Sequence, residues 1–434
     1  MRKKRLDPYE GAVLDTMRRR RLAGPGDAVL VALSAGPDST ALVASLAALR
    51  DRGGLAAVRA LHVDHGLRPG GAEDAACAAA ACARLRVPFE SVRVVVRPGN
   101  VQAEARRARY AALREAALRT GATRIATGHT RTDQAETVLL RLLRGAGARG
   151  LGGVPPRRGV IVRPLIDRPR AEGIAYLARA GLAWREDPTN ATPRFARNRL
   201  RLSAWPALLA LSPTAERALA RAADLARSDE RALSARARAV AGSCAAVEVA
   251  ALAAEPLAVR RRIVRRLWRA AGGAPSRLEA RHVDAALALA RRRGPGRVTL
   301  AGGLEARCRY GRLEIAPRRL SAPGAAAPVA AAGPGRYPVP PLGVVEIAAR
   351  LVEAVPWPVS LRTRRPGDRF RPEGGRGTKK LKSWLIDRKV PREERDALLV
   401  VAAGARVLAV PALEAVAEGL GPAGAGLVVR LERP

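Results

Sequence analysis

The sequence has few aromatic residues, few cysteines and no long apolar run. Phe, Trp and Tyr make up 3% of its 434 residues. Its four cysteines include no CxxC pair, so no disulfide framework is predicted and the thiols are expected to be buried. The basic start MRKKRLDPYE lacks the apolar segment of a signal peptide, and no apolar run reaches the roughly 20 residues of a transmembrane helix. We therefore expect a cytoplasmic protein that does not enter a membrane.

Acidic residues are also scarce. Asp and Glu number 39 against 78 Lys and Arg, which gives a formal net charge of +39. Such a charge favours a polyanionic partner, with RNA or DNA preferred over a membrane surface. An arginine-rich composition would raise the charge without any such partner, so the inference depends on where the charges lie. Lysine occurs only at positions 3, 4, 379, 380, 382 and 389.

Strand and helix patterns alternate over residues 28–185, which predicts a doubly wound parallel α/β sheet. The predicted strands are 28–33, 58–63, 90–96 and 124–128, and the predicted helices are about 39–50, 72–86, 101–120 and 133–144. A mainly helical region follows, and then a small α+β region with one helix near 379–387. The predicted parts are a catalytic domain (1–205, ending in a linker at 187–206), a helical middle domain (206–320), an Ala/Pro/Gly linker (321–337) and a C-terminal domain (338–434).

The stretch AVLVALSAGPDST, residues 28–40, predicts an anion site. An apolar strand runs through a turn of small residues into a helix, so backbone N–H groups and the helix dipole both favour negative charge there. The order Ser-x-Gly-x-Asp-Ser differs from a Walker loop, because no Gly-Lys-Ser/Thr follows. It resembles the SGGxDS pyrophosphate loop of the N-type ATP pyrophosphatases. Alanine replaces the first glycine, which requires a compatible φ at that position. The predicted ATP contacts in the loop are Ser34, Ala35, Gly36, Pro37, Asp38 and Ser39.

Two further motifs follow predicted strands and should lie at the same edge of the sheet. In HVDHGLR (62–68) the spacing of two histidines around an aspartate suits a single metal ion poorly, so we expect a loop that packs beside the nucleotide. A purely structural role for His62 is the alternative. In GHTRTDQAET (128–137) Asp133 and Glu136 share one face at a helix start, where acids are also favoured by the helix dipole alone.

Arginine pairs supply the third kind of signal. Arg106 and Arg109 lie one helical turn apart and could neutralise a phosphoryl group under attack, although a solvated basic face is the default for such a pair. The run RNRLR directly follows the catalytic region and could contact RNA phosphates. Four of the six lysines fall within 379–389, which indicates compact phosphate contacts unless the clustering is chance.

Taken in order, these motifs resemble the tRNA(Ile)-lysidine synthetase family. The resemblance extends to RVTLAGGLEARCRYGRLEI (297–315) and to the C-terminal block 362–398, and is weakest at about 206–290. It implies that ATP adenylates the C2 oxygen of the wobble cytidine in a CAU-anticodon isoleucine tRNA, after which the ε-amine of free lysine displaces AMP. It also implies a possible homodimer.

The resemblance assigns roles to individual residues. Asp38 would bind Mg²⁺ on the phosphates, Arg106 or Arg109 would act in catalysis, and Asp133 and Glu136 would hold lysine. The other expected ATP contacts are His62, Asp64, His65, Gly128 and His129, and the expected tRNA contacts are Arg197, Arg199, Arg201, Lys379, Lys380 and Lys382.

Two other functional classes fit the sequence less well. A tRNA thiolation enzyme would share the loop and the RNA, but sulfur transfer usually needs a reactive cysteine pair or an iron–sulfur site, and the chain has no CxxC. A non-catalytic RNA-binding protein with a relic loop would be expected to have lost Asp38, Asp133 or Glu136, and all three are present.

Overall fold

The computed structural model describes residues 5–66, 70–97, 99–186, 192, 196–274, 278–292, 294–318, 326–375, 377–390 and 392–432. Contacts divide the chain into two compact units, Met1–Leu267 and Trp268–Pro434. The first unit contains all the N-terminal motifs, and each unit is considered by itself. The four-part division expected from the sequence remains a prediction.

The first unit is built on a six-stranded sheet in the order β3-β2-β1-β4-β6-β5, parallel except for the β5–β6 pair. Its strands are β1 (Ala28–Ala32), β2 (Ala57–Asp64), β3 (Phe89–Arg93), β4 (Arg124–Thr127), β5 (Arg157–Arg158) and β6 (Ile161–Val162). Its helices are α1 (Pro8–Arg19), α2 (Pro37–Arg50), α3 (Gly71–Arg84), α4 (Val101–Arg119), α5 (Arg131–Leu142), α6 (Ala148–Leu151) and α7 (Arg170–Ala180). The doubly wound α/β fold predicted from the sequence is confirmed.

Strand β1 is buried on both faces, which explains its continuous apolar sequence. Val29 and Val31 belong to a core shared with α1, α2 and α7, whereas Leu30 packs in a second core with Leu113 of α4. The chain adds β2 and β3 on one side of β1 and β4 on the other. The loops that follow β1 and β4 therefore diverge at a topological switch point, where ligands bind in such sheets.

The predicted linker at 187–206 is wrong over the part that the structure describes from residue 196 onward. That part is helical: α8 (Ala196–Arg199), a π-helical turn (Leu200–Ala204) and α9 (Trp205–Leu211). Leu200 and Trp205 are buried, and Pro206 lies in the first turn of α9, where proline fits a helix. The elements that follow are α10 (Ala215–Ala241), β7 (Ala246–Glu248), α11 (Val249–Ala253) and α12 (Leu257–Ala270).

The second unit is rich in short strands. It contains α13 (Ala280–Arg291), β8 (Gly296–Thr299), β9 (Leu304–Arg309), β10 (Arg312–Pro317), β11 (Val329–Ala331), β12 (Gly335–Val339), β13 (Gly343–Ala348), β14 (Val359–Thr363), β15 (Arg369–Phe370), β16 (Lys379–Lys380), α14 (Leu381–Asp387), α15 (Arg392–Arg395), β17 (Leu399–Ala403), β18 (Arg406–Val410), β19 (Ala415–Val416) and β20 (Val428–Glu432). Residues 321–325 of the predicted linker 321–337 lie outside the described residues. The rest of that prediction is wrong where β11 pairs with β14 and β12 with β13. The helix predicted near 379–387 begins at Leu381, because residues 379–380 form β16.

In the part of the chain that the structure describes, no helix is both long enough and apolar enough to cross a membrane.

Candidate active site: a phosphate loop beside an acid–arginine cluster

Hydrogen bonds formed by Ser34 and Ser39 stabilise the loop between β1 and α2. The Ser34 N–H donates to Ser39 Oγ at 3.1 Å, and that hydroxyl donates to the Gly36 carbonyl at 3.0 Å. The two serine hydroxyls lie 3.2 Å apart. Pro37 occupies the first turn of α2, where no intrahelical N–H is lost, and Asp38 follows it at the dipole-positive end of the helix. The turn thus has the geometry expected of an anion site.

Ala35 adopts a left-handed backbone, with φ of +58°, at the position where the N-type ATP pyrophosphatases have glycine. The residue is fully buried, and its carbonyl accepts the Arg185 N–H at 2.9 Å. A second close approach occurs at Gly128, just after β4. A Cβ there would lie 3.0 Å from both the Asp38 carbonyl carbon and the Ser39 nitrogen. Gly128 therefore allows the end of β4 to approach the start of α2.

The residues predicted at the end of β2 separate into two environments. His62 is buried in the sheet and its Nδ1 lies 3.0 Å from the Leu33 carbonyl, which favours the structural role that the sequence left open. Asp64 lines a cavity of about 380 Å³ together with Arg93 of β3. Burial and the charge of Arg109 lower the pKa of His65, whose Nδ1 is buried without a hydrogen-bond partner among the described residues.

Helix α5 positions the two acids that the sequence singled out. Thr130 caps the helix by accepting the Asp133 N–H, while Asp133 in return accepts the Thr130 N–H at 2.8 Å. Asp133 is buried, and Glu136, one turn later, is only 1% exposed. Burial alone would raise the pKa of Asp133, but Arg170, Arg197 and the Thr130 amide hold it below its usual range. Both side chains face one cluster of carboxylate and guanidinium groups.

That cluster contains two of the arginines predicted to contact tRNA. Arg197 donates through Nη2 to Asp133 at 2.8 Å and through Nε to Glu136 at 2.7 Å. Arg201, one turn further along, contacts both oxygens of Glu136 and lies 3.3 Å from Asp133. The side chain of Arg199, between them, is exposed. The acids expected to hold lysine and two arginines expected to hold RNA therefore bind each other in this structure.

Arg170, which the sequence analysis did not identify, completes the cluster. Its guanidinium forms a bidentate contact with Asp38, at 2.9 Å from Nε and 2.6 Å from Nη2, and reaches Asp133 at 3.3 Å. Burial raises the pKa of Asp38, and the Arg170 charge opposes that shift. The N–H of Arg170 donates to Thr132 Oγ1, which ties the start of α7 to the start of α5. Three carboxylates thus face three guanidinium groups beside the phosphate loop.

The other two candidate arginines lie on α4. Arg106 and Arg109 stack over the Tyr110 ring, with guanidinium carbons 5.1 and 5.8 Å from its centroid. Burial and the positive charges of Arg163, Arg106 and Arg197 together lower the pKa of His129 to about 4, against the opposing charge of Asp133. His129 is therefore neutral near pH 7, with Nδ1 2.9 Å from Thr127 Oγ1. The charge of Arg106 contributes to the low pKa of His129, and the charge of Arg109 contributes to the low pKa of His65. Each arginine therefore lies near one of the predicted ATP contacts, and the structure does not favour either as the catalytic arginine.

Comparison with known proteins agrees with this arrangement. Family models match residues 15–208 as a PP-loop domain, 248–314 as a TilS substrate binding domain and 359–431 as a TilS substrate C-terminal domain. A curated relative from Symbiobacterium thermophilum, named tRNA(Ile)-lysidine synthase, is 39% identical over 455 residues, covering 93% of this chain and 93% of that protein. The chain belongs to the tRNA(Ile)-lysidine synthase family.

Other members of the tRNA(Ile)-lysidine synthase family support the assignment. The relative from Deinococcus deserti is 39% identical. The match covers 89% of this chain and 65% of that longer protein. The relative from Solibacter usitatus is 37% identical, with 85% of this chain and 90% of that protein covered. The resemblance inferred from the motifs is confirmed, and the PP-loop domain confirms an ATP-binding fold.

The Mg²⁺ ion predicted from the sequence can be compared with the residues present at the phosphate loop. Among the described residues, no group of three or more His, Cys, Asp or Glu side chains could form a complete metal cage. Mg²⁺ is commonly held by one or two carboxylates plus substrate phosphates and water, so a single aspartate at a phosphate loop suits it. Asp38 is the aspartate at the phosphate loop, and it is paired with Arg170 in the structure; its Mg²⁺ role remains a prediction.

The lysines predicted to bind tRNA lie in the second unit and are all exposed. Lys379 and Lys380 form the edge strand β16, and Lys382 follows in the first turn of α14. Lys379 Nζ lies 3.0 Å from Asp387 at the other end of that helix. Their exposure is what a phosphate contact requires, and their role remains a prediction.

Proposed function

We propose that this protein attaches free L-lysine to C2 of the wobble cytidine of a CAU-anticodon isoleucine tRNA at the expense of ATP. The observation that carries the proposal is the convergence, in one site, of the phosphate loop with the buried acids Asp133 and Glu136, in a chain similar over almost its full length to proteins named for this reaction. It is a ligase that forms a C–N bond and releases AMP and pyrophosphate.

In the first step the C2 oxygen of the cytidine attacks the α-phosphorus of ATP. An O–P bond forms, and the P–O bond to the β-phosphate breaks, so that pyrophosphate leaves with the bonding electron pair. Ser34, Gly36 and Ser39 would cradle the phosphates, and Arg106 or Arg109 would stabilise charge on the transferring group. Mg²⁺, held by Asp38, would supply positive charge to the phosphates.

In the second step the ε-nitrogen of lysine attacks C2. The new C–N bond forms, the C2–O bond breaks, and AMP leaves with the oxygen. Asp133 and Glu136 would hold the ammonium groups of lysine. In this structure, however, Arg197 and Arg201 already neutralise the two carboxylates. Lysine must therefore replace guanidinium groups, and the ε-ammonium must lose a proton before it can attack.

Incorporation of labelled lysine tests the proposal directly. The protein is incubated with ATP, labelled lysine and an isoleucine tRNA transcript carrying CAU, and label in the RNA is expected only when ATP is present. Asp38→Ala should abolish pyrophosphate release while leaving tRNA affinity nearly unchanged. Absence of label with a folded, RNA-binding protein would exclude the assignment, whereas ATP-dependent incorporation of sulfur would favour a thiolation enzyme instead.

The remaining partners follow from the same proposal. The tRNA would be held by Arg199 and by Lys379, Lys380 and Lys382, with Arg197 and Arg201 joining once they leave the acids. A homodimer, which light scattering can detect, and a cytoplasmic location remain predictions.

A further inference from the structure

Arg170 lies beside the phosphate loop, and backbone hydrogen bonds hold the start of its helix in place. It is the first residue of α7, and its N–H donates to Thr132 Oγ1 at 3.1 Å. The Arg131 N–H donates to the Arg168 carbonyl at 2.8 Å, so the start of α5 is joined to the chain at Arg168 as well as at Arg170. Its guanidinium then projects onto Asp38, the carboxylate of the phosphate loop itself.

The negative charges around the phosphate loop require a positively charged side chain beside them. Asp38 and Asp133 already place two carboxylates beside the loop, and ATP would add several phosphate charges. The described lysines all belong to the second unit, so the loop has no counterpart of a Walker lysine nearby in sequence. Arg170 neutralises Asp38 in the structure. If Asp38 held a metal ion, the guanidinium would be able to pair with another anion.

A guanidinium fork binds carboxylate and phosphate with the same bidentate geometry. We propose that Arg170 is a catalytic residue of the adenylation step, which exchanges Asp38 for the β- and γ-phosphates of ATP and stabilises the leaving pyrophosphate. Arg170 gives up no proton in this role and neutralises the charge that builds up on the pyrophosphate as the P–O bond breaks. Arg106 and Arg109, on α4, would serve the α-phosphoryl group, so the two sets of arginines act at opposite ends of the bond that breaks.

The first test measures binding and needs neither tRNA nor turnover. Calorimetry with Mg²⁺ compares pyrophosphate, ATP and AMP on the wild type, Arg170→Gln and Arg170→Lys. Arg170→Gln should weaken pyrophosphate and ATP binding by about tenfold or more, the size of a charge-assisted contact, and change AMP binding by less than about twofold. Arg170→Lys should recover part of the loss. The control is Arg179→Gln on the same helix, whose side chain pairs with Asp7, and it should bind all three ligands normally.

A second pair of variants separates phosphate contact from simple neutralisation of Asp38. If Arg170 serves only to neutralise that carboxylate, Asp38→Asn and the double variant Asp38→Asn/Arg170→Gln will bind pyrophosphate equally when it is titrated without Mg²⁺. The proposal expects the double variant to bind about tenfold more weakly, and equal affinities overturn it. Because the double variant has no uncompensated Asp38, it also covers the case in which Arg170→Gln alone fails to fold.

The proposal rests on the function proposed above, and kinetics keep the two apart. In single-turnover reactions with tRNA, Arg170→Gln should slow pyrophosphate release by about tenfold or more and should slow lysine transfer to previously adenylated tRNA by less, since Arg170 also reaches Asp133. A wild type that releases no pyrophosphate with tRNA contradicts the proposed function, whereas a wild type that reacts and an Arg170→Gln variant that adenylates at the same rate contradict only the role of Arg170.

Discussion

Replacing Arg197 by glutamine should strengthen the binding of free lysine when no tRNA is present. In the structure Arg197 occupies both proposed lysine-binding acids, at 2.8 Å from Asp133 and 2.7 Å from Glu136. Lysine binds only to the fraction of molecules in which these contacts are broken, so its apparent affinity is reduced by that fraction. Removing Arg197 removes its share of the reduction, while the contacts of Arg201 and Arg170 with the acids remain.

The size of the expected gain in lysine affinity follows from how deeply each partner of the Arg197–Glu136 ion pair is buried. Glu136 is almost fully buried, but the Arg197 side chain is 41% exposed, so its contacts are partly screened by water. Such a half-buried pair is worth about 1–2 kcal/mol, between the values for surface pairs and for buried charge-assisted bonds. The tRNA-free lysine affinity of Arg197→Gln should therefore rise by about five- to thirtyfold.

Calorimetric titration of lysine into the tRNA-free proteins measures this change. Arg199→Gln is the matched control, because Arg199 lies on the same short helix with an exposed side chain. Addition of tRNA should reduce the difference between the variant and the wild type, since phosphates would then compete for Arg197. An unchanged or weaker lysine affinity in Arg197→Gln would refute the reasoning. A weaker lysine affinity would mean that Arg197 helps to hold lysine, for example by binding the α-carboxylate of lysine.

Four further outcomes are expected. Ala35→Gly should raise the free energy of unfolding by about 0.5–1 kcal/mol in denaturant titrations, because relief of the positive φ outweighs the flexibility of glycine. Gly128→Ala should lower it by about 1–3 kcal/mol, since its Cβ would press on the backbone of α2. The pKa of His129 lies below that of an unfolded histidine, so the unfolded chain takes up the proton first and stability falls as the pH drops from about 6.5 towards 4; His129→Gln should remove about 2 kcal/mol of that fall at pH 5. Lys379→Gln/Lys380→Gln should weaken tRNA binding and flatten its salt dependence, and an unchanged slope would indicate that these lysines are merely solvated.

The sheet and the elements that carry the acids could be predicted from local patterns. The strand and helix alternation placed β1, β2, β4 and α5 close to their observed bounds, because each has a strong apolar pattern and a clear turn or cap. The failures come from composition. Residues 329–337 are rich in alanine, proline and glycine, which indicated a linker. Ala331 is nevertheless buried in β11, which pairs with β14 further along the chain, and β12 pairs with β13.

The partners of the acids could not be predicted in the same way. Arg170 and Asp38 are 132 residues apart, and Arg201 and Glu136 are 65 apart, so no local spacing reveals the contacts. The signal that was available is one of charge balance. Two buried carboxylates next to a third at a phosphate loop need cations from elsewhere in the chain. Arg170, the first residue of α7, is one such cation.

The distribution of this cluster along the chain has a consequence for folding. During synthesis Asp38, Asp133 and Glu136 are all made before Arg197 and Arg201. A sheet that closed around the acids early would confine like charges without their partners, which is unfavourable. A chain that stops before this segment lacks the two arginines that neutralise Glu136, so we expect the acid site to be completed only after the segment that ends at the π-helical turn has been made.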